Sequence, residues 1–174
     1  MDVTSPNFSF LEAHDPQYVQ VAASAESHCL NDPVAALTKL RTLGEMLAED
    51  AAARVNVDDY DLNQYERLQA LRDEGILPEQ IADLFHNIRR AGNKAVHNHE
   101  GTASEAVGQL KIARQVAIWF HRTFDLTADN FDPGPFVPPP DEEGMEEELR
   151  EELERLRNRL AEVNDEADTY KELT

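Results

Sequence analysis

Between Ala103 and Phe124 the apolar residues Ala106, Leu110, Ala113, Ala117, Phe120 and Phe124 recur at steps of four, three, four, three and four. A strand repeats every two residues and a helix every 3.6, so this stretch can only be a helix with one long apolar stripe. Ile112, Val116 and Trp119 lie beside the stripe and widen it. A helix this apolar on one side needs other helices to cover it. The rest of the chain must therefore supply them.

It does so with punctuation that is local and legible. Asp15-Pro16 and Asp32-Pro33 each place a capping carboxylate before a proline, which is the signature of a helix start. The first helix carries Tyr18, Val19, Ala22 and Ala25 and is expected to end near His28. The second runs from about Pro33 to Val55, with Leu37, Leu40, Gly44, Leu47 and Ala51 on a stripe that Leu43 and Met46 broaden. Gly44 costs up to about 1 kcal/mol against alanine in a helix interior, so its place on the stripe predicts a close helix crossing. A polar loop over 56–63 precedes a short helix over 64–72 that stops at Gly75. Pro78 opens the next helix, and Thr102 or Ser104 caps the 103–124 segment. No segment alternates with period two between hairpin turns, so no sheet is expected. The fold class is all-α, a bundle of four to five helices over residues 1–137, entered by an irregular arm anchored by Phe8 and Phe10.

The stretch Phe85–His97, FHNIRRAGNKAVH, carries the chemistry. At about 100° per residue, Ile81, Leu84, Phe85, Ile88, Gly92, Ala95 and Val96 share one face, and His86, Arg90, Asn93 and His97 share the opposite one. This polar stripe has two readings. Spacing alone favours a solvated helix back, the usual role of a polar face. Alternatively, a fixed cation at Arg90 and a titratable imidazole at His97, two turns along one line with Asn93 between them, suit phosphate binding or phosphodiester chemistry. Arg89, Arg90 and Lys94 form a local basic patch. On the second helix, Arg41 and Glu45 stand four apart and can pair along it. Glu45 is otherwise a candidate partner for the Arg90 helix.

Charge limits the partners. The chain is −19 overall; residues 141–174 hold 14 acidic and 5 basic side chains, a net −9, leaving −10 on residues 1–140. A general nucleic-acid surface would need a basic excess, so any nucleic-acid contact must be local. The acidity also argues against anionic membranes. Met1-Asp2-Val3-Thr4 lacks the basic start and apolar run of a secretory signal. The single cysteine, Cys29, excludes an internal disulfide, fits a reducing cytoplasm and reads as a small half-buried hydrophobe. There is no GxxxxGKS/T loop, no GxGxxG, no HExxH and no cysteine pair. His97-x-His99-Glu100 matches no standard metal site and reads as polar residues of an exit turn. No cofactor and no metal are expected in this segment.

Beyond Asp125 the sequence changes character. Asp132-Pro133-Gly134-Pro135 and Pro138-Pro139-Pro140 make an extended strap, with Phe131, Phe136 and Val137 expected to pin it to the bundle. Residues 138–174 then form a proline-rich linker and an acidic helix. Leu149, Leu153, Leu156, Leu160, Val163, Ala167 and Tyr170 step by four and three, a heptad seam. Such a helix either seeks a partner or stands solvated with Glu–Arg pairs along it. The segment reads as the front end of a longer polypeptide.

Several blocks occur in a telling order: Asn7-Phe8-Ser9-Phe10-Leu11, Ala25-Glu26, Asp32-Pro33, Lys39-Leu40-Arg41-Thr42-Leu43-Gly44-Glu45, the Phe85–His97 run and Trp119-Phe120. Together, over about residues 7–137, they resemble the N-terminal domain of type I restriction endonuclease R (HsdR) subunits, a family within the HEPN superfamily of all-α bundles. The resemblance implies a HEPN-like fold. It also implies possible methyltransferase and specificity subunits as partners, and nuclease and ATP- and Mg-dependent motor regions downstream of this segment. HEPN ribonucleases act without metal through an Arg-x4-6-His motif at a dimer interface. Arg90 and His97 have six residues between them, and Ala91 stands where the family often has a polar residue. Three roles follow. The first is an assembly and nucleic-acid-sensing module of a restriction-type protein. The second is a ribonuclease with His97 as general acid or base and Arg90 stabilising phosphorane charge. The third is a purely structural homodimerisation module.

Overall fold

The structure, a computed structural model, describes residues 4–125, 127, 129–140 and 149–163. The described residues are helical and contain no strand. Five α-helices follow a short 3₁₀ turn over Ser9–Ala13: α1 Pro16–His28, α2 Pro33–Arg54, α3 Gln64–Asp73, α4 Glu79–Asn98 and α5 Ala103–Phe124. The chain divides into two compact units, Met1–Pro139 and Pro140–Thr174.

The caps explain the boundaries. Asp15 accepts a hydrogen bond from the Gln17 amide, and Asp32 accepts one from Ala35, each with a proline at the first helical turn. Asn63 and Glu66 form a reciprocal capping box at the start of α3. Thr102, not Ser104, caps α5 through the Glu105 amide. Each such contact satisfies an amide that would otherwise lack a partner and is worth roughly 1 kcal/mol. Gly75, at φ +74°, turns the chain after α3 in a conformation that suits glycine.

The centre of the bundle is α2, which packs against each of the other four helices. Nine of its residues are buried, from Ala36 to Ala52, and they spread over more than one face. Alanines at 36, 48, 51 and 52 are fully enclosed, and their small side chains let neighbouring helices come close. The α5 stripe packs as its spacing predicts, with Ala106, Leu110, Ala113, Ala117 and Phe120 buried. Phe85, Phe120 and Leu47 are among the largest enclosed side chains.

The close crossing lies at a different glycine from the one the sequence indicated. A Cβ on Gly44 would sit 3.6 Å from Ile88 Cγ2, an ordinary contact. A Cβ on Gly92 would fall 2.4 Å from the Cβ of Arg41, with Arg41 Cγ and Cδ at 2.9 Å. The stem of Arg41 therefore lies across α4 at Gly92, and there the α2–α4 contact leaves no room for a methyl group.

The strap returns over the bundle. Asn7, almost fully buried, donates from Nδ2 to the Val137 carbonyl and accepts from the Val137 amide, both at 2.8 Å. Val137 is thus held by its backbone; its side chain is exposed, contrary to its expected role as an apolar pin. Phe131 packs on Phe10 and His121, and Phe136 lies against the core. Buried Arg114 on α5 donates through Nη2 to the carbonyls of Pro133 (2.6 Å) and Gly134 (2.9 Å).

In the second unit, residues 149–163 are helical. Leu149, Leu153, Leu156, Leu160 and Val163 are exposed, and Arg155 pairs with Glu151 one turn away at 3.8 Å. Ala167 and Tyr170 of the heptad seam lie outside the described residues.

The glycine contacts give a paired prediction. Gly92→Ala should destabilise the bundle by about 1–3 kcal/mol, the cost of overpacking. Gly108→Ala, where nothing lies within 4 Å, should stabilise α5 by roughly 0.5–1 kcal/mol. Denaturant midpoints of the two variants check this, and equal effects would contradict it.

Candidate functional site on the outer face of α4

The face of α4 is rotated relative to the wheel drawn from sequence. Ala82, Phe85, His86, Ile88, Gly92 and Ala95 are buried. Val96, assigned to the apolar face, is 37% exposed, and His86, assigned to the polar stripe, is only 8% exposed. The cause is α3, which packs on α4 beside α2 and α5 and covers an arc the wheel had left to solvent. The His86 ring meets the Tyr65 ring of α3 at 5.4 Å. The guanidinium of Arg89 stands 5.7 Å from the Tyr65 ring centre, a cation–π distance. His86 Nδ1 and Arg89 Nε are buried without a hydrogen-bond partner among the described residues.

The remaining members of the stripe stay outside. Arg90 and His97 are exposed and Asn93 is half-buried. Placed at 100° per residue, all three fall within one arc of about 60°. Among the described residues none of them has a hydrogen-bond or ion-pair partner. Arg90 and His97 are seven residues apart, roughly 10 Å along the helix axis at 1.5 Å per residue. One phosphate group can bridge them only if the long Arg90 side chain reaches along the helix.

The basic patch divides into three. Arg89 is half-buried on Tyr65, Arg90 has no side-chain partner among the described residues, and Lys94 lies 3.7 Å from Glu100. Glu45 receives a hydrogen bond from Arg41 Nε at 3.0 Å, so its partner is the one four residues back on its own helix. His99 adopts the left-handed conformation, φ 53°, that ends α4; its place reflects the turn. Among the described residues His97, His99 and Glu100 do not converge into a metal-sized group. His14, His121 and Asp125 do, and no sequence spacing signalled that trio. Cys29 is buried, and burial pushes its thiol up to about 11, so it is inert as a nucleophile.

The family described as Domain of unknown function (DUF4145) matches residues 23–132. The chain belongs to the DUF4145 family. This DUF4145 chain is also 30% identical over 116 residues to the type I restriction enzyme EcoKI endonuclease subunit of Escherichia coli (strain K12). That match covers 67% of this chain and 10% of the relative, so the chain spans about a tenth of the length of the curated relative it matches. No solved structure matches it. The DUF4145 match includes all of α2 to α5 and hence the whole outer face of α4. No helix among the described residues is long and apolar enough to cross a membrane.

His86 offers the direct electrostatic check on this face. Burial lowers its pKa below 6.5, and the cations of Arg89 and then Arg90 lower it further, with Asp83 opposing. The folded chain therefore binds fewer protons at His86 than the unfolded chain between that lowered value and 6.5. Stability from this group is full above pH 6.5 and falls as pH drops through the folded value. An NMR titration should place the His86 imidazole below 6.5, and Arg89→Ala should move it upward. Titration at or above 6.5 in the wild type would contradict this placement of the side chain.

Proposed function

We propose that this segment is an assembly and nucleic-acid-sensing module of a type I restriction endonuclease R subunit-like protein. The observation that carries the reading is the outer face of α4. One side of the helix is built into the bundle, while the exposed guanidinium of Arg90, without a partner among the described residues, and the exposed imidazole of His97 stand on the other. An exposed guanidinium on an acidic chain is suited to a phosphate or a carboxylate, which it can take in bidentate fashion. The sequence relation to the EcoKI subunit supports the restriction context. In this reading the bundle is HEPN-like, methyltransferase or specificity subunits are its protein partners, and the leucine seam at 149–163 supplies a further helical docking edge. ATP and Mg chemistry belongs to other regions of the parent protein.

A second reading, a metal-independent ribonuclease, is favoured by one observation: Arg90 and His97 open on the same side of α4. The roughly 10 Å between them along the axis calls for a second copy about a two-fold axis, so that Arg90 of one chain meets His97 of the other. His97 would then move the proton and Arg90 would stabilise the phosphorane charge.

A single experiment tests both readings. The purified chain is titrated into labelled duplex DNA and single-stranded RNA in EDTA, read by anisotropy and on gels, with restriction-complex subunits in a parallel pull-down. The assembly reading expects binding without cleavage, weakened about tenfold or more by Arg90→Ala, the magnitude of a charge-assisted hydrogen bond. RNA cleavage abolished by His97→Ala would replace it with the ribonuclease. A folded chain that binds neither nucleic acid nor partner subunits would overturn both.

A further inference from the structure

Far along the chain from the α4 site, the arm and the end of α5 bring three metal-binding side chains together. His14 follows the 3₁₀ turn, His121 lies in the last turn of α5, and Asp125 is the residue after it. His14 Nε2 is 3.0 Å from His121 Nδ1, although 107 positions separate them. One ring nitrogen from each histidine and one carboxylate oxygen of Asp125 all lie within 4.8 Å of one another. We propose that His14, His121 and Asp125 form a divalent-metal site of the Zn²⁺ class that clips the N-terminal arm to the end of α5.

The donor set and its surroundings support this. Two imidazoles and a carboxylate suit Zn²⁺, leaving a fourth position for water. Two donors on one tetrahedral zinc, each about 2.0–2.1 Å from the metal, lie about 3.3 Å apart, so the histidine pair is near that spacing already. His121 is buried, and His14 and Asp125 are half-buried. Asp125 is oriented from behind: its Oδ1 accepts from the Thr127 amide at 2.8 Å and from Thr127 Oγ1 at 2.6 Å. Its Oδ2 lies 3.7 Å from His121 Nε2, the ring nitrogen turned away from His14, so closing on one metal takes a side-chain rotation of His121 or Asp125. Such outer hydrogen bonds fix ligands in place. Phe10, Phe120 and Phe131 pack on the two imidazoles. The nearby cation of Arg54, which would oppose a metal, is offset by Asp50 at 2.8 Å.

Without metal, one ring N–H spans the two histidines. On binding, that proton shifts to the other nitrogen of its own ring, which frees a lone pair on each imidazole for the metal. No proton is lost and no redox step is involved.

The test is a Co²⁺ titration of the untagged, EDTA-treated full chain, followed by visible absorption and by Zn²⁺ competition, with thermal melting as a second readout. We expect one equivalent of Co²⁺ with a four- or five-coordinate spectrum, displaced by Zn²⁺, and a rise in Tm with Zn²⁺ that EDTA reverses. Loss of a single outer contact costs about 10–100-fold in metal affinity, so His14→Gln and Asp125→Asn should each cost at least that. Both replace partly exposed side chains, and circular dichroism reports whether they fold. His99→Ala should leave binding unchanged. No metal-dependent spectrum or Tm shift in the wild type, or binding lost in His99→Ala and kept in His14→Gln, would overturn the site. The trio would then be a hydrogen-bonded latch only.

Discussion

The contact of the Arg41 stem with Gly92 governs how α4 sits. A helix can rotate about its axis unless something fixes it, and a position with no room for a Cβ fixes it firmly. Gly92 must face α2 at that point. Phe85 and Ile88, which lie within van der Waals reach of a Cβ built on Gly44, then fall into the same seam. Once that seam is set, α3 closes the neighbouring arc with Tyr65 over His86. Arg90, Lys94 and His97 then stand together on a strip of α4 left for solvent, with Val96 exposed outside it. The outward face is a consequence of packing on the inward one.

That packing sorts four cations and imidazoles into different roles. His86 is taken inside, where burial and two guanidinium neighbours disfavour its charged form. Arg89 spends its charge on an aromatic face, Lys94 stands beside a carboxylate, and Arg90 has no partner among the described residues. A free guanidinium at a surface costs the fold little and binds an anion strongly once water is displaced. The restriction-module reading depends on this difference, because a patch of three equivalent cations would bind nucleic acid without discrimination.

Much of the bundle could be read from the sequence because its signals are local. Asp-Pro pairs and the four-three spacing of α5 act within one or two turns, and α1, α2 and α5 begin where those residues and their caps place them. The rotation of α4 was only partly legible. An ideal wheel finds an apolar arc, but it cannot know that α3 will cover a second arc and leave Val96 outside. Arg114 is a stronger case. Charge alone favours the surface for an arginine, yet the strap carbonyls of Pro133 and Gly134 hold it buried. The convergence of His14 on His121 was illegible, since tertiary folding alone sets a contact across 107 positions.

Thiol labelling tests the placement of α4 most directly, because Cys29 is buried and its thiol is held protonated. Cysteines introduced singly as R90C, H97C and A95C report which side of the helix meets solvent. R90C and H97C should react at nearly the rate of an unstructured peptide, while A95C should be slower by roughly a hundredfold or more, limited by opening of the fold. Protection of either R90C or H97C to the level of A95C would place that residue in the interior and contradict a shared outward face.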